Sequence, residues 1–214
     1  CGSTVSNGTA VATFWKNGVP TFLETSLSIA ASIFVDGNDV YVCGFVRDEE
    51  AILSRAAYWK NNVLTVLNSE DYRTRAKEIF VKDGEVHIIG EGYDTYDLAK
   101  YWNNNVETDL NSGILSATAE GIYVDDTTVY VAGRDAEDSP VLWKNGVPEF
   151  INQSTNEEGI AIDVTVFEND LYVMAYVEEQ NSEPQIKVFK NGSELLSISS
   201  NVNLNIEAMA VMNQ

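Results

Sequence analysis

The chain has 214 residues, enough to bury a core in one compact domain or one array of small repeats. With 13 Lys+Arg against 33 Asp+Glu its formal net charge is -20, which repels phosphate backbones and argues against nucleic acid as a ligand. No run approaches the roughly 18 apolar residues of a membrane helix, and two cysteines, Cys1 and Cys43, imply no disulfide framework.

The chain opens Cys1-Gly2-Ser3-Thr4 and stays polar to Thr9. This start resembles a bacterial lipoprotein after signal-peptide removal, in which the first cysteine carries the lipid. The resemblance implies an outer-membrane, periplasmic or surface location, or secretion, with membrane contact only through a lipid on Cys1. Residues 1–9 then read as a tether and 10–214 as one domain. A trimmed start is the other reading, and Cys1-Gly2 also aligns with Cys43-Gly44, as a remnant of a strand would.

From residue 10 onward the sequence repeats. An aromatic-Lys-Asn-Gly signature runs Phe14-Trp15-Lys16-Asn17-Gly18, Tyr58-Trp59-Lys60-Asn61-Asn62, Tyr101-Trp102-Asn103-Asn104, Leu142-Trp143-Lys144-Asn145-Gly146 and Val188-Phe189-Lys190-Asn191-Gly192. Steps of about 40–50 residues suit propeller blades. In phase with it runs a second signature, at Ala30, Ala76, Ala119 and Ala161. Each alanine leads through β-branched residues into an Asp/Asn/Gly turn and a strand such as Val40-Tyr41-Val42-Cys43-Gly44 or Val129-Tyr130-Val131-Ala132-Gly133. Alternating apolar runs broken by such turns are β-hairpins.

Each repeat therefore predicts four antiparallel strands: an inner strand with the alanine, a second with Val-Tyr-Val, a third ending at the aromatic, and a fourth after Asn-Gly. One such sheet cannot cover both faces alone. The predicted fold is an all-β five-bladed β-propeller, its ring closed by N- and C-terminal strands sharing one blade: Ala208 to Met212 as the inner strand, residues 11–15 and 19–22 as third and fourth. A solenoid would need capping repeats, and none is present. One aromatic per blade at a fixed position predicts packing between blades, for all four tryptophans and Phe189.

These paired signatures resemble the Trp-Lys-Asn-Gly repeats of secreted proteins and lipoproteins of Bacteroidetes-type bacteria, over residues 10–212. The resemblance implies a propeller at the envelope and brings no established activity. In blade number and size the chain is also similar to tachylectin-type five-bladed lectins.

The connections from second to third strand, residues 45–50, 91–97, 134–139 and 176–183, are long and differ between repeats. Such loops on a rigid scaffold commonly carry function. They hold Asp48, Glu49, Glu50, Glu91, Asp94, Asp97, Asp135, Glu137, Asp138, Glu178, Glu179 and Glu183, with Arg134 beside them and Tyr72, Tyr93, Tyr96 and Tyr176 as aromatic contacts. An acidic rim of this kind suits a basic protein surface, so a non-enzymatic module for protein–protein interaction or assembly is the leading expectation. A lectin-like glycan binder is the alternative. A glycoside-acting enzyme is the third reading; its carboxylates would come from Glu78, Glu120, Asp163 and Glu207 on the inner strands. His87 is the only histidine, so neither a zinc site nor a Ser-His-Asp triad is expected, and no cofactor.

Overall fold

A computed structural model describes residues 1–24, 26–47, 53–110, 116–151, 157–179, 182–199 and 208–212. Their regular structure is entirely β, in five antiparallel sheets that each follow chain order. The first has three strands, β1 (Gly2–Ser6), β2 (Thr9–Lys16) and β3 (Val19–Phe22). The second comprises β4 (Ser28–Asp36), β5 (Asp39–Arg47), β6 (Ser54–Lys60) and β7 (Val63–Val66), and the third β8 (Arg73–Lys82), β9 (Glu85–Tyr93), β10 (Asp97–Asn103) and β11 (Val106–Asp109). The fourth comprises β12 (Thr118–Val124), β13 (Val129–Arg134), β14 (Pro140–Lys144) and β15 (Val147–Phe150), and the fifth β16 (Glu157–Phe167), β17 (Asp170–Glu179), β18 (Gln185–Lys190) and β19 (Ser193–Ser199). The chain forms two compact units, Cys1–Asp109 with three sheets and Leu110–Gln214 with two.

Asparagine fixes the outer hairpin of the second to fifth sheets. Asn61, Asn104, Asn145 and Asn191 adopt positive φ of 46–50°, a conformation asparagine tolerates better than most residues. There each reaches back to the start of the second strand. The side-chain Oδ1 accepts the backbone N–H of Val40, Val86, Val129 and Leu171 at 2.8–3.0 Å. The asparagine's own N–H donates to the same residue's carbonyl at 2.8–2.9 Å. A turn residue thus extends the ladder between second and third strands.

A β-bulge recurs on the inner strands. The register shifts between Ala30 and Ser32, Ala76 and Glu78, Ala119 and Gly121, and Ala161 and Asp163. Opposite the first three alanines stand Gly44, Gly90 and Gly133. The strands approach so closely there that a Cβ on Gly90 would lie 2.0 Å from the Arg75 carbonyl oxygen. In the fifth sheet Ala175 faces Ala161 instead.

Within the first unit each third-strand tryptophan is covered by the preceding blade. Trp59 packs with Ala12 and Leu23, and Trp102 with Ala56 and Leu67. The indole N–H groups donate to Glu24 Oε1 and to the Asn68 carbonyl, both at 3.0 Å. A polar stitch crosses the same joints: Ala12 N–H donates to Ser28 Oγ at 3.0 Å and Ala56 N–H to Thr74 Oγ1 at 2.9 Å. In the second unit Phe189 packs against Ala132, Leu142 and Ile151. Pro140 and Gly159 occupy the corresponding stitch positions there. Proline has no N–H to satisfy and glycine no hydroxyl to offer, so donor and acceptor are absent together.

Three expectations are corrected. Residues 2–6 are not a tether: β1 pairs with β2, Gly2 opposite Thr13, the register in which Gly44 faces Ala57, so this stretch is a second strand. Trp15, expected between blades, is 44% exposed, whereas Trp59, Trp102 and Trp143 are fully buried. Its blade is the first of its unit, so within that unit no blade precedes it. Residues 208–212 carry no strand, so the first sheet has three strands among the described residues.

These contacts rank three substitutions in denaturant unfolding. Trp102→Ala is expected to cost about 3–5 kcal/mol and Asn104→Ala about 1–2 kcal/mol, with Trp15→Ala the mildest. Equal losses for Trp15→Ala and Trp102→Ala would contradict the blade packing.

Candidate functional site

The expected site residues lie where second strands end and third strands begin, but several are already occupied. Asp135 is buried; its Oδ1 accepts the N–H of Glu137 at 3.0 Å and of Ser139 at 2.9 Å. It therefore staples its own loop and is not available to a ligand. Asp138 pairs with Arg134 at 2.5 Å, and Glu178 accepts a hydrogen bond from the Tyr176 hydroxyl, which raises that phenol's pKa. Glu91 stands 3.8 Å from Arg75 and 3.7 Å from Lys77. The Arg73 guanidinium lies 4.4 Å from the centre of the Tyr93 ring. Asp94 and Tyr96 are exposed in a tight turn, Asp94 N–H donating to the Tyr96 carbonyl. Asp97 begins β10 opposite Tyr93, and Glu137 and Glu183 are exposed. Asp48, Glu49, Glu50 and Glu207 lie outside the described residues, as does the Glu179 side chain.

What these loops frame in the first unit is a cationic cleft. It encloses about 560 Å³ between the second and third blades and is lined by Leu27, Phe45, Arg47, Leu53, Ser54, Tyr72, Arg73 and Arg75. Arg73 and Arg75 are two apart on β8 and so share a face; Arg47 ends β5. The Arg75 guanidinium lies 5.0 Å from the centre of the Phe45 ring. Arg47 and Arg73 have no carboxylate within ion-pair range among the described residues. A smaller pocket beside it shares Arg73 and Arg75 and adds Glu91, Gly92, Tyr93 and Asp97.

Of the expected residues the cleft takes in only Tyr72, and sequence reasoning passed over its arginines. Arg47 stands 26 residues before Arg73 in a strongly acidic chain, with no local motif. The available signal was a departure from the repeat: at the positions of Arg73 and Arg75 the second blade has Leu27 and Ile29, and the fourth Ser116 and Thr118.

The remaining titratable groups serve the fold. His87 is buried, its Nδ1 2.7 Å from the Tyr101 hydroxyl. Burial lowers its pKa, against the pull of Glu85, and pushes the Tyr101 phenol up to about 12. Lys100 is buried among Asp71 at 2.7 Å, Glu107 at 3.1 Å and Asp109 at 3.5 Å. Burial opposes its charge, and the hydrogen bonds to Asp71 and Glu107 outweigh that and raise its pKa. A Cβ on Gly92 would lie 2.1 Å from Asp71 Oδ2, so only glycine admits this ion pair. Of the inner-strand acids, Asp163 accepts the N–H of Met209 at 2.7 Å and of Val164 at 2.8 Å, its pKa raised by burial. Glu78 and Glu120 are half-buried. No group of three or more His, Cys, Asp or Glu among the described residues is placed to hold a metal ion.

Comparison with known proteins defines the fold and stops there. No family model matches the chain, and no curated protein matches it. Among solved structures it is similar to the computationally designed Ika8 protein, at 14% identity and TM-score 0.51, over 94% of this chain and 59% of that one. The chain thus spans under two thirds of that protein's length. The designed Ika4 protein (13% identity, TM-score 0.41, 78% of this chain and 93% of that one) and a GH43 endo-arabinanase from Bacillus licheniformis (12%, 0.40, 76% and 71%) are more distant. With five antiparallel sheets in sequence, the likeness to Ika8 gives the chain the blade architecture of a β-propeller.

Because the folded-state pKa of His87 lies below its ordinary 6.5, the unfolded chain takes up the proton first. The stability that neutral His87 contributes is present above pH 6.5 and is lost as pH falls through that value. The melting temperature is expected to drop between pH 7 and about 5.5, and less steeply in His87→Gln. An identical slope in the two proteins would contradict this.

Proposed function

We propose that the chain is a non-enzymatic binding module that takes its ligand in the loop-side cleft between the second and third blades. The observation that carries this reading is the cleft itself. It has about 560 Å³ of open space, within the range of ligand sites, and is lined by guanidinium groups and ring faces on two adjacent sheets. Assembly with a basic protein through the acidic loops is the second reading. Asp94 and Glu137 favour it, since both are exposed, while Asp135, Asp138 and Glu178 are held by their own loops.

We also take the five sheets to close into one ring, with the C-terminal residues running along the open inner side of the first sheet. Two features support closure. β1 has no partner on its far side among the described strands, and Ala208-Met209-Ala210-Val211 matches the inner-strand signature.

A glycan array beside a pull-down from envelope extract tests the site. Binding is expected to fall about tenfold or more in Arg73→Gln/Arg75→Gln and to persist in Asp94→Asn/Glu137→Gln. The reverse pattern would place the ligand on the acidic loops and overturn the cleft as the site.

A further inference from the structure

The chemistry of this cleft narrows its ligand, an inference that rests on the cleft being the binding site. We propose that it holds a short acidic saccharide, one to three pyranose rings bearing a carboxylate of the uronate type. Four observations carry this.

The first is charge placed against the trend of the molecule. A chain of net charge -20 concentrates three guanidinium groups around one space, and two of them, on Arg47 and Arg73, have no ion-pair partner among the described residues. Arginine rather than lysine matters, because its planar fork matches a carboxylate with two parallel hydrogen bonds. The second is an unused hydroxyl. Ser54 lines the cleft at 8% exposure, and its Oγ is buried without a hydrogen-bond partner. A buried polar atom left unpaired costs stability, and a ligand hydroxyl in the cleft would pair it.

The third is the mixture of ring faces and acceptors. Tyr72 is exposed, and Phe45, Leu27 and Leu53 supply apolar wall, a surface for the C–H face of a sugar ring. In the adjoining pocket the Glu91 and Asp97 carboxylates border Arg73 and Arg75. Carboxylates accept hydrogen bonds from sugar hydroxyls and repel further anions, so the ligand is polyhydroxylated and carries few charges. The fourth is size and field. About 560 Å³ admits a short oligosaccharide, and the surrounding negative charge opposes long polyanions, which sets this ligand apart from nucleic acid or a highly sulfated chain.

Isothermal titration of the whole chain tests the proposal with three probes: trigalacturonate, maltotriose and a hexaglutamate peptide. Trigalacturonate is expected to bind at least about tenfold more tightly than maltotriose and to weaken as salt rises. Arg47→Gln, which removes neither an ion pair nor a ring contact among the described residues, is expected to weaken it about tenfold with the melting temperature unchanged. Ser54→Ala should weaken it by a smaller factor. Equal affinity for maltotriose, or binding of hexaglutamate alone, would overturn the saccharide assignment while leaving the cleft as the site. Trigalacturonate binding that neither Arg47→Gln nor Arg73→Gln alters would overturn the assignment and the site together. No binding of any probe, with array binding still lost in Arg73→Gln/Arg75→Gln, would overturn the ligand class alone.

Discussion

A sheet four strands wide has two faces to cover, and in this chain the third-strand aromatic covers one of them against the blade before. Trp59 and Trp102 do so with their N–H groups satisfied across the joint, and Phe189 does so with no polar atom to satisfy. The alanines follow from the same constraint. Ala12, Ala30, Ala56 and Ala76 stand at these joints because nothing larger leaves room for the ring, and burial of a large aromatic side chain outweighs most single contacts. The serine and threonine stitches, with their replacement by proline and glycine, show that the joints keep hydrogen-bond accounts balanced as well as volume.

That constraint explains why so much of the fold was legible. Strand order, the inner alanine and the aromatic position all came from local alternation and turn chemistry, which depend on neighbours in sequence. The second job of the asparagines was not legible. A turn residue at positive φ can be read from Asn-Gly, but the bond from Asn61 to Val40 depends on a register 21 residues away. Residues 2–6 misled for a related reason. Ser3-Thr4-Val5-Ser6 is polar and short, and only its pairing with β2 makes it a strand.

The site was less legible than the fold. Acidic loops stand out in composition, yet composition does not say that Asp135 folds back on its own loop or that Asp138 is paired with Arg134. The cleft gathers side chains from β5, β8 and the crossings before β4, β6 and β8. No one stretch of sequence announces such a convergence. Its signal lay in the places where one repeat departs from the others, since a scaffold repeats what packing requires and varies what packing leaves open. Rigid joints and a cleft at one of them belong together: the blade packing that buries Trp102 also fixes the distance between β5 and β8, and with it the spacing of the guanidinium groups.

On the proposed closure of the ring, the first blade gains a neighbour on its open side through the last residues of the chain. The most direct test is the thermal unfolding of the chain with residues 204–214 removed. With the ring closed as proposed, the truncated protein is expected to melt at a clearly lower temperature throughout, with faster amide exchange along β1 and β2. An unchanged melting temperature and unchanged exchange along those strands would contradict it.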